Sequence, residues 1–272
     1  MDRVGLIQMT SGANPEENLA YIEQQVAVLA EQGAIWVITP ENAVVFGSRH
    51  DYYRHAEPLD SGEIQAKLSN MAKRYQVWLV IGSFPIQRQS DVTTTLLVYN
   101  NAGELMANYD KLHMFDVDVA DSHQRYRESE TFLPGNEIVS LETPFAHLGL
   151  TICYDVRFPQ LYSELAKQGA NVMVVPAAFT AVTGQAHWQP LLTARAIETQ
   201  SWIVAVNQTG VHLGGRQTWG HSMVISPWGD VIARLDDAPS NLLVELDLQA
   251  VTEIRATMPV MTHNRFDSRI KI

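Results

Sequence analysis

Three side chains in this sequence have complementary chemistry and similar local settings. Cys153 follows the apolar stretch 148–152, Lys111 follows 105–110, and Glu41 follows 34–40. A free thiol titrates near about 8.5 and is a weak nucleophile until its proton leaves. A carboxylate within hydrogen-bond reach can take that proton as general base. An ammonium alongside favours the thiolate and stabilises the oxyanion of a tetrahedral intermediate, and loss of one such donor costs about 2.7–4 kcal/mol. Brought together, the three groups would attack a carbonyl or nitrile carbon, form a thioester and release it to water. No histidine is required as base. A redox thiol would instead use a resolving cysteine, and Cys153 is the only cysteine in the 272 residues. Taken singly, each residue has a plainer explanation. A lone cysteine beside a strand is usually a small buried hydrophobe, and a Glu or Lys after a strand usually marks a solvated loop. The chemistry therefore depends on three strand ends meeting.

Parallel neighbouring strands would bring those ends to one edge, where open α/β sheets hold their sites. Residues 3–9, 34–39 and 77–82 are apolar runs of strand length, and 148–152 alternates with period two. Cys153 then lies in a strand–turn–helix context, with Pro159 in the first helical turn and Gly169 at the stop. A thiol near a helix N-terminus would have its thiolate favoured. Asn14, Pro15 and Glu17 form a helix start, followed by Leu19, Ile22, Val26 and Leu29 at helical spacing, with Gly33 to close. Residues 64–75 also read as a helix, and 93–99 with 105–109 as a strand pair around Asn100 to Gly103. Residues 116–134 are polar and irregular, more a functional loop than a linker. Beyond the cysteine, 171–175, 202–206, 223–225 and 242–246 read as strands and 187–200 as a helix. The expected fold class is α/β, with helices covering the sheets. No repeat, linker or shift in composition marks a boundary, so residues 1–272 are expected to form one domain. Residues 258–272 lack periodicity and are expected at a subunit interface.

The totals narrow the function. A formal net charge of −11 argues against general nucleic-acid binding. It would not steer in an anionic substrate either, so local Arg or Lys must hold one. Residues 168–194 carry no Asp, Glu, Lys or Arg, but Pro176, Gly184 and Pro190 interrupt them, which is wrong for a membrane span. The first residues, MDRVGLIQMT, show no secretory h-region, and one cysteine suits a reducing compartment, so a cytoplasmic location is expected.

The chain resembles the nitrilase (carbon–nitrogen hydrolase) superfamily along nearly its whole length. PENAV with Glu41, YDKLHMFDVDV with Lys111, RESETFLPGNE with Glu128 and CYDVRFPQLY with Cys153 stand in the family's order. The resemblance implies a four-layer αββα sandwich that hydrolyses non-peptide C–N bonds without metal or cofactor. It implies Glu41 as general base, Lys111 as oxyanion stabiliser, Cys153 as nucleophile and the Tyr154 N–H as a second oxyanion donor. Glu128 would orient Lys111 or help move protons. It also implies a homodimer, or a higher even oligomer, formed through 158–165 and the C-terminal segment. The stretches AFTAVTGQAHWQPLLTARAIETQ and TWGHSMVISPWGDV are similar to the branch acting on deaminated glutathione, close to the omega-amidases acting on 2-oxoglutaramate. Thr183, His187, Phe179 and Arg157 are then the substrate-binding candidates. An omega-amidase acting on 2-oxoglutaramate, an N-carbamoyl amino acid amidohydrolase and, more remotely, a catalytically silent interaction protein are the alternatives. Other expectations are structural: an Asp155–Arg157 ion pair beside the nucleophile, His187 capping the helix it begins or facing substrate, a local Arg195–Glu198 pair, Trp219 and Trp228 as packing, and Arg216 exposed.

Overall fold

The computed structural model describes residues 2–121 and 123–270. The first sheet uses β1 (Asp2–Gln8), β2 (Trp36–Ile38), β3 (Glu57–Pro58), β4 (Trp78–Arg88), β5 (Asp91–Tyr99) and β6 (Leu105–Asp110). A ribbon of β7 (Asp116–Asp118) and β8 (Arg125–Arg127) follows. The second sheet uses β9 (Ser140–Glu142), β10 (His147–Leu150), β11 (Val172–Ala177) and β12 (Trp202–Asn207). After the hairpin β13 (Thr209–Val211) and β14 (Gln217–Trp219), it is completed by β15 (Met223–Ile225) and β16 (Val231–Arg234). The last strand, β17 (Ser240–Leu246), returns to the first sheet, antiparallel to β1. The helices are α1 (Pro15–Glu31), α2 (Arg49–His55), α3 (Glu63–Tyr75), α4 (Pro159–Lys167), α5 (Ala181–Thr199), α6 (Gln249–Thr257) and α7 (Val260–His263).

Alternate residues of one strand face two different cores, as the pleat requires. Trp36 and Ile38 pack with Leu148, Leu150 and Val174 of the second sheet. Val37 between them packs with Leu19, Ile22 and Leu68 of α1 and α3. The outer face of the second sheet is covered by Leu161 and Leu165 of α4 and by Trp188 and Leu192 of α5. The layers are therefore helix, sheet, sheet, helix, the αββα sandwich that the resemblance implied. Strands buried on both faces read as unbroken apolar runs, which is why 34–39 and 77–82 stand out in the sequence.

The expectation that the three strand ends share the edge of one sheet does not hold. β2 and β4 are parallel, and β6 runs with them because two antiparallel steps separate β6 from β4. Glu41 and Lys111 thus leave one edge of the first sheet. Cys153 follows β10 of the second sheet. The two sheets meet at Gly82, in a bulge of β4 between Ile81 and Phe84. A Cβ there would lie 2.4 Å from the Thr39 and Pro40 carbonyl oxygens and 2.5 Å from Pro176 Cβ. Only a residue without a side chain lets the end of β2 reach β11.

Three further departures have local causes. α5 begins at Ala181, six residues before the expected start, because Thr180 caps it by accepting from Thr183 N at 3.4 Å. Gly184 is no breaker: Trp219 packs against it, and a Cβ there would be 2.3 Å from Trp219 Cβ. His187 therefore lies inside the helix and caps nothing. Residues 116–134 hold the β7–β8 ribbon and a 3-10 turn, Glu128–Glu130. In the expected tail, Lys167 Nζ donates to Phe266 O at 3.4 Å, while residues 271–272 lie outside the described residues. Trp219 packs as expected, whereas Trp228 is 63% exposed. No helix among the described residues is long and apolar enough to cross a membrane.

Candidate active site

Cys153 sits at a sharp elbow. Ile152 is still extended, Cys153 has φ 48°, and the 3-10 turn Cys153–Arg157 follows before α4 starts at Pro159. The left-handed region costs a residue with a side chain about 1–2 kcal/mol, so something must hold the elbow. Asp155 does. It is fully buried and accepts from Ile152 N at 2.9 Å and from Tyr109 Oη at 2.8 Å. It also accepts from His113 N at 3.2 Å and meets His113 Nδ1 at 2.7 Å. Tyr109 and His113 flank Lys111 in sequence, so the elbow at Cys153 is tied to the strand end that carries the lysine. The expected Asp155–Arg157 ion pair is absent among the described residues. The Arg157 guanidinium turns away over the rings of Tyr154 (5.8 Å) and Phe179 (5.2 Å).

Lys111 is buried between two carboxylates. Its Nζ donates to Glu41 Oε1 at 2.7 Å and to both Glu128 oxygens at 2.8 Å. Glu128 Oε2 accepts from Phe115 N at 2.7 Å. The other oxygen of Glu41 accepts from Ala178 N, just past β11, at 2.8 Å. The Glu41 backbone is fixed in turn: its carbonyl accepts from Gln208 Nε2 at 3.0 Å, and Asn42 N donates to Ser83 Oγ at 2.8 Å. The Cys153 thiol lies beside the Glu41 carboxylate and the Ala178 amide in the same cleft. Glu41, Lys111, Glu128 and Cys153 are thus brought together, as the sequence motifs anticipate.

The electrostatics follow from this packing. Burial alone would push the Glu41 carboxyl up, but the Lys111 ammonium and its hydrogen bond pull it below the ordinary value. Burial alone would discharge Lys111, but Glu128 and Glu41 more than offset it and the ammonium is kept. Burial, and then the Glu41 charge, raise the Glu128 carboxyl against the pull of Lys111. Burial and the Glu41 carboxylate likewise push the Cys153 thiol well above its ordinary value, and Lys111 does not compensate. This corrects the expectation of a favoured thiolate. The helix that was to favour it begins six residues after the cysteine, and the nearest negative charge is the Glu41 carboxylate. At rest the site holds a thiol beside a carboxylate.

These groups open into a cleft of about 220 Å³. The Tyr154 N–H has no backbone acceptor among the described residues. Of the substrate-binding candidates, Phe179 and Thr183 line the cleft; Arg157 and His187 do not. The latter two meet at 3.4 Å behind Phe179. Arg195 and Glu198 pair at 2.6 Å as expected, outside the cleft. Arg216, expected to be exposed, is half-buried in the cleft wall. Sequence reasoning missed it because β13–β14 folds back over the site, and nothing in a short polar stretch announces that. The Asp155 tether was findable, since Tyr109 and His113 are the polar residues on either side of Lys111. Among the described residues no three His, Cys, Asp or Glu side chains form a group suited to a metal ion.

Comparison with known proteins agrees with this arrangement. Residues 3–256 match the carbon-nitrogen hydrolase family. A relative from Yersinia enterocolitica named deaminated glutathione amidase is 48% identical over 270 residues, covering 98% of this chain and 94% of that protein. The crystal structure of the C. elegans NitFhit protein superposes with a TM-score of 0.89 at 35% identity, over 97% of this chain and 65% of that one. Saccharomyces cerevisiae Nit3, a member of branch 10 of the nitrilase superfamily, gives 0.87 at 26% identity over 97% of both chains.

Proposed function

We propose that this chain, which belongs to the carbon–nitrogen hydrolase family, cleaves the amide of deaminated glutathione into 2-oxoglutarate and cysteinylglycine. It is a thiol amidase, and the single observation that carries the reading is the buried cluster in which Lys111 joins Glu41 and Glu128 beside the only cysteine. The name of the Yersinia relative supports the substrate.

In this reading Glu41 takes the proton of Cys153 as Sγ attacks the amide carbon. The developing oxyanion is met by the Tyr154 N–H and by Lys111 Nζ, which releases one of its two contacts with Glu128. Glu41 then passes the proton to the departing nitrogen, and the amine leaves. Water, deprotonated by the same carboxylate, opens the thioester. Glu128 is a positioning residue: it holds the ammonium in place through both its oxygens. Because the thiol is neutral at rest, proton transfer and attack are coupled, and a reactive thiolate exists only against a bound amide.

Phe179 and Thr183 contact the acyl group, and Arg157 supplies the positive charge at that end from behind Phe179. We further place the protein in the cytoplasm, where a lone free cysteine stays reduced. It pairs with a second copy through α4 and the tail, a reading supported by the 82% exposure of Phe266 beside Lys167. Incubation with deaminated glutathione tests the substrate: 2-oxoglutarate is expected, with a mass adduct of the acyl group on Cys153. Faster turnover of 2-oxoglutaramate or of an N-carbamoyl amino acid would replace deaminated glutathione as the substrate.

A further inference from the structure

We propose that Arg216 binds the carboxylate of the departing amine, so that the cleft selects substrates anionic at the leaving-group end as well as the acyl end. The inference rests on the amidase reading above and adds a second charge requirement to it.

The proton path fixes the sides of the scissile bond. The carboxyl that takes the thiol proton must deliver it to the departing nitrogen, so that nitrogen lies on the Glu41 side. Arg216 is on that side. Its Nη2 donates to Ala178 O at 2.7 Å, the Ala178 N–H donates to Glu41 at 2.8 Å, and its charge is felt by the Glu41 carboxyl. Arg157 lies elsewhere, over Tyr154 and Phe179, by the oxyanion donor.

Arg216 also has donors to give. Four arginines line the cleft: Arg49, Arg125, Arg127 and Arg216. Arg125 is paired with Glu130 at 2.6 Å and Arg127 with Asp118 at 2.9 Å. Arg49 lies on the Tyr53 ring and donates to its hydroxyl at 3.2 Å. Arg216 pairs with no carboxylate among the described residues. Its guanidinium is set between the rings of Phe46 (4.9 Å) and Tyr126 (5.3 Å), which fix it without using its N–H groups. Its Nε is buried and has no partner. A buried donor left unmet is costly, and a carboxylate meets a guanidinium edge with two parallel bonds. The departing cysteinylglycine carries such a carboxylate at its far end; ammonia carries none.

The test compares deaminated glutathione with its glycinamide analogue, which differs only in the terminal carboxylate. The wild-type protein is expected to favour the acid by about 10- to 100-fold in kcat/KM, mostly through KM, the range for hydrogen bonds to a charged group. R216Q is expected to erase that preference and R216K to restore part of it, since lysine keeps the charge without the fork. Any effect of Arg216 on Glu41 acts on both substrates and cancels in the ratio. A wild-type ratio within about twofold of unity, or a preference that survives in R216Q, overturns the assignment while leaving the amidase reading intact. A wild-type protein inactive on both substrates removes the substrate reading and this inference with it.

Discussion

The reacting centre and the mouth of the cleft are built differently. At the centre, Lys111 and Glu41 are 1% and 3% exposed and joined at 2.7 Å. At the mouth, Arg216 stands on a hairpin with Nε unpartnered, and behind the wall Arg157 and His187 meet at 3.4 Å outside the lining. The centre is made by strand ends over a packed core, so its geometry exists before any substrate arrives. The mouth is made by a helix, a ribbon and a hairpin that present charge to whatever enters. In the proposed reaction one part supplies rate and the other selects, and their mutational responses should separate cleanly.

The largest separation is expected at Cys153. Cys153→Ala should lower amide hydrolysis by about 10⁴-fold or more with little change in thermal midpoint. Release of 2-oxoglutarate and the mass of the acyl adduct measure the first, and a melting curve the second. Residual activity near wild type would mean that the centre does not do the chemistry. Next comes Lys111→Ala, which leaves Glu41 and Glu128 buried without their cation. A loss of about 3–5 kcal/mol in urea titration is expected, together with a fall in kcat of about 10²–10³-fold. A variant as stable as wild type would show that the centre tolerates unpaired charge and is less rigid than described. Behind the cleft wall, Arg157→Gln removes a charge that makes no direct contact, so it should raise KM for a carboxylate-bearing amide by only about twofold to threefold while kcat and stability hold. A fall in kcat of equal size would erase the distinction between the two regions.

The smallest effect sharpens the centre alone. Burial and the Glu41 charge both hold the thiol proton on. Glu41→Gln removes the charge and keeps the burial, so the pH at which iodoacetamide labels Cys153 should move down. The sign is firm: a neutral neighbour no longer opposes the thiolate, and Lys111 still favours it. An upward move would show that the carboxylate does not set the thiol. The wild-type enzyme should therefore alkylate slowly near neutrality, and slow labelling is no evidence against catalysis.

The same contrast explains what the sequence disclosed. Glu41, Lys111 and Cys153 were visible because each ends an apolar run, and a strand end has few places to go. Period-two burial was readable for the same reason: Trp36 and Ile38 face one core and Val37 the other. That the runs belong to two facing sheets was not readable from periodicity, since it depends on a glycine at the point of closest approach, Gly82. The four-layer order came from the family resemblance alone. Arg216 escaped because its environment is assembled from Phe46, Tyr126 and Ala178, each from a different part of the chain. Asp155 was assigned the wrong partner because Arg157 is its near neighbour, whereas Tyr109 and His113 reach it across more than forty positions.

The protonated state of Cys153 bears on survival as well as on rate. Peroxides attack thiolates, and oxidation beyond the sulfenic stage is irreversible for most proteins. A thiol whose proton is held on by burial and by the adjoining carboxylate gives such oxidants little to react with. With no second cysteine to rescue it by forming a disulfide, keeping the sulfur covered by hydrogen is its standing protection between turnovers.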